Sequence, residues 1–337
     1  MSIGLPWRTY KNYLLDTYSK SVYRIGVDGG FSCPNREKDR SGGCVFCDGT
    51  GASATYQRKG EGIWTRSSSF QKHVAHKGPR KQISLEKRMK SLETQVEKGK
   101  KFLIERYEAQ ALSLYFQAWT STYAPIDELK LIFDKGLSLY PFTEFIVSTR
   151  PDCLDSDVID LLNSYKSKVN DVWVEVGLQS GNDKTLESIN RGHDVNTFIK
   201  AVNDLHEKGI KVSTHIITGL AGEGSDEFDN TINLINDLKI EAVKIHNLDI
   251  LGGTSLFDEY IRGELSVASS QRAIEHCIYF LQRLNPNIII QRLLCETPPH
   301  RLAAPRNFYD KTKFIQHLQK RMNNLGIEQG DLFNAKQ

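Results

Sequence analysis

Short runs rich in β-branched and aromatic residues alternate along the chain with longer segments whose apolar residues recur about every 3.6 positions. The short runs predict six strands, at 22–27, 111–116, 144–148, 172–178, 211–217 and 242–247. The longer segments predict helices at 84–107, 126–139, 155–165, 195–208 and 225–238, several of them opened by Asp or Ser. Regular alternation of strand and helix predicts an α/β protein whose parallel sheet forms a partial or complete barrel.

The first and last parts of the chain depart from this alternation. More than 80 residues separate Val27 from Ala111, and a long loop after a barrel strand lies where active sites are built. Beyond about residue 256 the pattern predicts a helix, a strand, a Pro-rich loop and a final helix, at 269–284, 288–293, 297–307 and 311–323. We therefore predict an N-terminal segment (1–20), a core (21–256) and a small α+β extension (257–337).

Composition and charge narrow the class of protein. The 337 residues include 44 Lys and Arg, 41 Asp and Glu and 39% apolar residues, which excludes a disordered or acidic tail protein. No run of about 18 uncharged apolar residues and no signal peptide is visible, so we expect a cytoplasmic protein without a membrane segment. Residues 58–106 hold fourteen Lys and Arg against five Asp and Glu, a balance of +9. This basic segment suits a polyanion such as RNA, although an ordinary solvated helix face explains it equally well.

Three of the six cysteines, Cys33, Cys44 and Cys47, lie within fifteen residues. The chain is too long, and its cysteines too few, for a disulfide scaffold. Two thiolates separated by two residues can bind one metal centre, and Gly42 and Gly43 allow backbone amides to approach the sulfurs. With no fourth cysteine nearby, three protein ligands leave one metal position open.

A zinc site and inert buried thiols both stay open as roles for these cysteines. A structural zinc site would need His73 and His76 beside Cys44 and Cys47, but the histidine spacing is shorter than usual and Cys33 would be left over. Inert buried thiols would not account for a Gly-Gly-Cys-x-x-Cys sequence in a polar loop.

The three cysteines, with Phe46 before the last of them, follow the first strand of a six-unit βα pattern and in this resemble the radical S-adenosylmethionine (SAM) superfamily. The ten residues between Cys33 and Cys44 make the chain similar to the branch that contains the Elongator catalytic subunit, and to a bacterial family implicated in tRNA wobble-uridine modification. The resemblance implies a partial (β/α)6 radical SAM barrel with a small C-terminal α+β extension. It also implies a cluster loop at 28–66.

The resemblance further implies the cofactors. Cys33, Cys44 and Cys47 would hold a [4Fe-4S] cluster, and its fourth iron would take the amino and carboxylate groups of SAM. Reduction would then cleave SAM to methionine and a 5′-deoxyadenosyl radical, which abstracts hydrogen from the substrate. The electron would come from a donor such as flavodoxin or ferredoxin.

Turns at the strand ends supply candidates for SAM binding. The resemblance places Gln179 and Ser180 beside the ribose or carboxylate, and Arg191 suits the carboxylate because a guanidinium pairs with it in bidentate fashion. A simple helix cap and turn is the alternative for this stretch. Gln117 stands where many members carry a Gly-Gly-Glu motif, which this chain lacks. The turn at Gly219 resembles one whose backbone approaches the adenine.

Three residues on the fifth and sixth strands are candidates for contact with substrate. His215 lies inside a predicted strand, and His246 and Asp249 lie at the end of the next one. Each side chain would meet the substrate if it faced the barrel cavity. The alternative for each histidine is a core residue with satisfied hydrogen bonds.

The leading functional hypothesis is a radical SAM enzyme that converts a carboxymethylaminomethyl group on C5 of the tRNA wobble uridine to an aminomethyl group. The basic segment 58–106 would contact the tRNA phosphates. One alternative is a radical SAM enzyme acting on a small molecule such as a porphyrinogen. Another is a non-catalytic, zinc-stabilised RNA-binding protein.

Overall fold

The computed structural model describes residues 4–37, 42–52, 54–57, 75 and 80–334. In this part of the chain, seven parallel strands form one curled sheet in chain order. They are β1 (Val22–Val27), β2 (Ala111–Phe116), β3 (Glu144–Thr149), β4 (Asp171–Gln179), β5 (Lys211–Thr218), β6 (Ala242–Asn247) and β8 (Ile289–Arg292). The two short strands β7 (Ile250–Leu251) and β9 (Leu302–Ala304) pair separately and are antiparallel. The predicted α/β partial barrel is confirmed.

Eleven α-helices lie in the described residues, and those that follow strands cover the outer face of the sheet. They are α1 (Tyr10–Tyr18), α2 (Pro34–Glu37), α3 (Leu85–Tyr107), α4 (Ile126–Ser138), α5 (Ser156–Ser164), α6 (Asp183–Ser188), α7 (Val195–Glu207), α8 (Ser225–Asp237), α9 (Ser255–Ile261), α10 (Ser270–Arg283) and α11 (Lys311–Leu325). Asp155 and Asp194 begin α5 and α7 by accepting backbone N–H groups, as the sequence predicts for such caps. No helix among these is long and apolar enough to cross a bilayer.

The strands are buried on both faces, but the two faces differ in chemistry. On β2, Leu112, Leu114 and Phe116 belong to the large core between the sheet and its helices. Ser113 and Tyr115 alternate with them and face the inside of the barrel, as the period of two in a strand requires. Polar side chains are therefore concentrated inside the barrel.

Helix α1 covers the amino-terminal end of this interior. The rings of Tyr10 and Tyr13 pack edge-on against Trp173 of β4. The buried carboxylate of Glu144 accepts hydrogen bonds from Tyr10 (2.5 Å), Ser113 (2.7 Å) and Trp173 (3.1 Å). With that end filled, the opposite, carboxyl end of the strands is left for a site.

The region after residue 256 contributes to the sheet itself. The sequence predicts a strand at 288–293 within the extension, and the structure shows β8 paired parallel with β6 as the seventh strand. This pairing depends on long-range contacts that local sequence patterns do not report. The boundary between core and extension stays a prediction.

Candidate active site

The cysteine loop follows β1 at the carboxyl edge of the sheet. Helix α2 begins directly after Cys33, with Arg36 donating its backbone N–H to the Cys33 carbonyl (3.0 Å). Cys47 closes a tight turn in the same way on the carbonyl of Cys44 (3.0 Å). Gly43 sits at φ +90°, where a Cβ atom would meet the Arg36 side chain at 3.0 Å. The absence of a side chain at Gly43 therefore lets Arg36 lie against the loop. The sequence predicts backbone freedom at this glycine but not the contact with Arg36.

Nitrogen donors lie beside the sulfur of Cys44 and the backbone of the cysteine loop. Asn35 Nδ2 and Arg191 Nη1 each lie 3.6 Å from the sulfur of Cys44. Arg36 donates to the Cys47 carbonyl (2.6 Å), and Arg150 donates to the carbonyl of Arg191 (2.9 Å). Although burial lowers the pKa of Arg150, the carboxylate of Asp152 and, more weakly, the Cys44 and Cys33 thiolates raise it above its ordinary value. Arginine side chains thus lie beside Cys44 and Cys47, although burial raises the pKa of the Cys47 thiol against the opposing effect of Arg36.

Contacts on two sides fix the cysteine loop on the rest of the protein. Asn190, just after α6, donates to the carbonyl of Gly43 (2.8 Å), and Val45 donates to the carbonyl of Ile189 (3.1 Å). On the other side, the buried carboxylate of Asp48 accepts a bidentate pair from Arg301, with both contacts at 2.7 Å. The C-terminal region therefore holds the residue that follows Cys47.

The donor set suits an iron-sulfur cluster with three cysteine ligands. Such clusters carry negative charge, and N–H donors to their sulfurs tune them. Arg191 Nε is buried and has no hydrogen-bond partner among the described residues, so it can still donate to a bound group beside Cys44. Within the described chain, no three His, Cys, Asp or Glu side chains gather closely enough for a single metal ion. His73 and His76, which the zinc alternative needs, lie outside the described residues.

The other predicted SAM-binding residues lie along the same edge. Gln117 packs over β1, where a Cβ atom on Gly26 would meet its amide at 2.5 Å. Gln179 ends β4 with a φ of +78°, and Gly219 follows β5 with a φ of +88°. The Ser180 hydroxyl donates to the Glu223 carboxylate and is itself buried. These four residues lie at one edge of the site. Their contacts with SAM stay predictions.

A cluster of buried polar side chains fills the barrel interior below this edge. At its centre is Glu175 of β4, which is fully buried. Its carboxylate accepts hydrogen bonds from Arg24 (2.8 Å), from His215 (3.2 Å) and, at short range, from both Tyr115 and Lys244. We call these five residues the interior cluster.

Charges in the interior cluster set its protonation. Burial raises the pKa of Glu175, but Lys244 and Arg24 outweigh it, and the pKa lies well below its ordinary value. Burial, with Lys244 acting in the same direction, lowers the pKa of His215 to about 4. His246 lies with its ring 5.4 Å from that of His215, and burial holds its pKa well below the ordinary value. At neutral pH the carboxylate is therefore ionised and both histidines are neutral.

The structure brings His215 and His246 together as the sequence predicts, but the two rings differ in their hydrogen-bond partners. His215 is bonded to Glu175, whereas His246 Nε2 is buried without a hydrogen-bond partner among the described residues. Asp249 accepts from Asn247 (2.6 Å) just after β6. Contact of these three candidates with a substrate stays a prediction.

Sequence reasoning missed most of the interior cluster. Arg24, Tyr115, Glu175 and Lys244 each interrupt an otherwise apolar strand, at positions that share one face with predicted His215. That alternation was the available signal. The match between charges on different strands was not visible, because it depends on the register of the sheet.

The chain belongs to the radical SAM superfamily. Residues 33–235 match the Radical SAM superfamily and residues 240–324 match the Radical_SAM C-terminal domain. The protein MJ0486 of Methanocaldococcus jannaschii is 34% identical over 334 residues, which cover 98% of this chain and 94% of that protein. The enzyme class is therefore established, and with it the use of a [4Fe-4S] cluster and SAM.

Two further comparisons connect the chain with the Elongator-related branch. A tRNA uridine(34) acetyltransferase of M. jannaschii is 32% identical over 137 residues, which cover 40% of this chain and 24% of that protein. The solved structure of the archaeal Methanocaldococcus infernus Elp3, lacking its N-terminus, matches with a TM-score of 0.61 and 20% identity over 72% of this chain and 60% of that one. The resemblance to the Elongator-related branch is confirmed, and the solved structure shows that the fold is shared.

Proposed function

We propose that this radical SAM enzyme acts on tRNA and modifies the C5 side chain of the wobble uridine, converting a carboxymethylaminomethyl group to an aminomethyl group. The reaction balances with water as co-reactant and SAM as the two-electron oxidant: the carboxymethyl unit leaves as glyoxylate, and SAM yields methionine and 5′-deoxyadenosine. The observation that carries the proposal is the 32% identity with a tRNA uridine(34) acetyltransferase over 40% of the chain. Residues 240–324 belong to a Radical_SAM C-terminal domain, so we do not extend the acetyl transfer of that relative to this enzyme.

In this proposal Cys33, Cys44 and Cys47 hold the cluster. When bound, the cluster and SAM together supply a carbon radical able to abstract a hydrogen atom from an unactivated position. Asn35 and Arg191 donate toward the Cys44 sulfur and stabilise its negative charge.

The SAM-facing residues act by position. Gln117, Gln179, Ser180, Arg191 and Gly219 would line the cofactor at the carboxyl ends of β2, β4 and β5. Ser180 is held by Glu223, so its orientation is fixed before a ligand arrives, which lowers the entropy cost of binding.

Side chains of the barrel interior would contact the substrate around the carbon that reacts. His246 is neutral at pH 7 because burial lowers its pKa, so it can donate one hydrogen bond to a substrate without adding charge. His215 is neutral for the same reason, but its one N–H is donated to Glu175, so its other ring nitrogen can only accept. Buried surroundings also exclude water, which protects a radical from side reactions. Asp249 stays a candidate at the rim.

The basic segment 58–106 is the proposed contact for tRNA phosphates. Part of its charge serves the fold: Arg80 pairs with Asp28 (2.7 and 2.8 Å), and Arg88 is buried and bonded to the Gly29 carbonyl (2.8 Å). Lys87, Lys90 and other cations of α3 stay exposed. Residues 58–74 and 76–79, which hold much of the excess charge, lie outside the described residues.

The test is conversion of the modified nucleoside in tRNA. Bulk tRNA from a strain lacking the enzyme, which accumulates the carboxymethylaminomethyl nucleoside, is incubated anaerobically with reconstituted enzyme, SAM and reduced flavodoxin or ferredoxin. Nucleosides are then measured by mass spectrometry. The proposal expects the carboxymethylaminomethyl nucleoside to decrease and the aminomethyl nucleoside to increase, with 5′-deoxyadenosine formed in step.

Cys44→Ala serves as the inactive control, and Cys277→Ala as the matched control, since Cys277 is buried in α10 away from the cysteine loop. Cleavage of SAM without any change in the tRNA nucleosides would refute the proposed substrate. It would leave the enzyme class intact.

A further inference from the structure

Arg292, the last residue of β8, lies next to the interior cluster but makes no hydrogen bond with it. It pairs in the sheet with Lys244 of β6, and Lys244 pairs with His215 of β5. Residues paired across parallel strands point to the same face of the sheet. The three side chains therefore leave the sheet in one row, on the inner face of the barrel.

A bulge explains how Arg292 reaches this face. The β6–β8 register passes from Val243–Ile290 to Lys244–Arg292 and skips Gln291. The amide of Gln291 contacts Glu175 (3.1 Å) and Arg24 (3.0 Å) inside the barrel. Two consecutive residues of β8 thus approach the interior, as happens where a bulge redirects a side chain beside a site.

The charges of the interior are not balanced. Among the described residues, Glu175 is the one carboxylate that contacts Arg24 and Lys244, and its hydrogen bonds are taken up by the interior cluster and Gln291. Arg292 adds a third cation, is exposed, and makes no hydrogen bond or salt bridge with a described residue. Burial lowers the pKa of Lys244 to about 7, and the charges of Arg24 and Arg292 act in the same direction. Arg24, Lys244 and Arg292 therefore share a single contacting carboxylate, and positive charge exceeds negative charge among these residues.

Arg292 also borders an opening in the barrel. A cleft of about 510 Å³ lies between the two edge strands of the sheet, β1 and β8, and Arg24, Gln291 and Arg292 line it together with α1. His246, whose charge state Arg292 influences, has its unpartnered Nε2 in the same interior. The Arg292 guanidinium and the His246 Nε2, neither with a hydrogen-bond partner among the described residues, thus lie on the same inner face of the sheet.

We propose that Arg292, with Lys244 and His246, forms a subsite for a carboxylate of the substrate. The inference rests on the proposed function, in which the group removed from the uridine side chain carries one carboxylate. Guanidinium pairs with a carboxylate in bidentate fashion, and the ammonium of Lys244 gains the second anion that its surroundings lack. The subsite selects the carboxymethylaminomethyl side chain over an uncharged one and places the carbon next to the carboxylate at a fixed position.

Binding of two RNAs tests the subsite without turnover. The probes are an anticodon stem-loop carrying 5-carboxymethylaminomethyluridine at the wobble position and the same stem-loop carrying 5-methylaminomethyluridine, which lacks the carboxylate. Their affinities for reconstituted enzyme with SAM and without reductant are measured by fluorescence anisotropy. We expect the wild type to prefer the carboxylate probe about tenfold, which corresponds to about 1.4 kcal/mol.

Arg292→Gln should abolish this preference and leave affinity for the uncharged probe unchanged. Arg272→Gln, which removes the same charge from the exposed face of α10, should keep the preference. Equal iron content and circular dichroism in the two variants show that both are folded. An unchanged preference in Arg292→Gln, or no preference in the wild type, overturns the subsite.

A second measurement tests whether Arg292 binds the carboxylate of the substrate or that of SAM. The Kd of SAM, measured by equilibrium dialysis, should be the same in wild type and Arg292→Gln. A tenfold loss of SAM affinity would assign Arg292 to the cofactor and overturn the inference. If the enzyme modifies tRNA but binds both probes equally, the subsite fails alone; if it cleaves SAM yet binds neither probe, the proposed function fails with it.

Discussion

Replacing Glu175 by Gln removes the one anion that Arg24 and Lys244 share inside the barrel. The carboxylate is fully buried and accepts hydrogen bonds from four side chains of the interior cluster, two of them cationic. Removing one partner of a buried ion pair costs about 3–5 kcal/mol, because the remaining charge is left uncompensated. Gln preserves the volume, so no cavity adds to this cost. We expect the free energy of unfolding to fall by about 4 kcal/mol.

Thermal unfolding followed by circular dichroism measures the effect. At roughly 2 °C per kcal/mol for a chain of this size, the Tm should fall by about 8 °C. Glu97→Gln is the matched control, since Glu97 is 69% exposed and pairs with Lys100 on the surface of α3. That change should alter stability by less than about 0.5 kcal/mol.

The pH dependence has a defined sign. The folded state holds the pKa of Glu175 well below its ordinary value, so its contribution is complete above that ordinary value, about 4.3, and is lost as the pH falls through the folded pKa. The difference between wild type and Glu175→Gln should therefore be largest between about pH 5 and 7, and should decrease above pH 7, where Lys244, with a pKa of about 7, loses its proton. It should narrow below about pH 4.

A double mutant separates the ion pair from local packing. Combined with Lys244→Met, Glu175→Gln should cost at least about 1 kcal/mol less than the sum of the two single changes, because the second change removes the stranded cation. Strict additivity, or a Tm loss no larger than that of Glu97→Gln, would refute the ion-pair argument.

Two predictions concern the turns that support the site. Gly181→Ala should cost about 2 kcal/mol in urea unfolding, because the new Cβ would meet the Thr231 backbone at 2.7 Å, whereas Gly4→Ala, which meets open space, should be neutral. Stability equal to that of Gly4→Ala would contradict the contact. Asp48→Asn should leave the Arg301 guanidinium without its anion and lower the iron retained after anaerobic gel filtration to about half. Full iron retention would show that the pair does not hold the loop.

Local sequence patterns were sufficient for the elements of the sheet. The six strands and the five helices predicted from periodicity lie within one residue of their observed ends, because each strand is an apolar run bounded by turn residues and each helix has a clear apolar stripe. The short helices α1, α2, α6 and α9 and the strands β7 and β9 were missed. They are too short for periodicity, and tertiary contacts such as those of Tyr10 and Tyr13 with Trp173 stabilise them.

The candidate site was predictable where residues are close in sequence. The cysteine loop could be recognised from its spacing and its place after the first strand, and the proximity of the His215 and His246 rings followed from their places on neighbouring strands. The supports of the loop could not be predicted. Asp48 and Arg301 are 253 residues apart, and no pattern in either segment indicates the other.

The central claim is that Cys33, Cys44 and Cys47 together hold the [4Fe-4S] cluster that cleaves SAM. The most direct measurement is the iron and sulfide content of anaerobically reconstituted enzyme, with 5′-deoxyadenosine formation from SAM and dithionite assayed on the same samples. Cys153→Ala is the matched control. Burial raises the pKa of the Cys153 thiol to about 12, and Cys153 lies near Arg150, which also acts on Cys33 and Cys44.

The account predicts four iron and four sulfide per chain, with SAM cleavage, in the wild type and Cys153→Ala. It predicts loss of SAM cleavage and of most of the iron in Cys33→Ala, Cys44→Ala and Cys47→Ala. A full cluster and undiminished SAM cleavage in any of these three variants would contradict it.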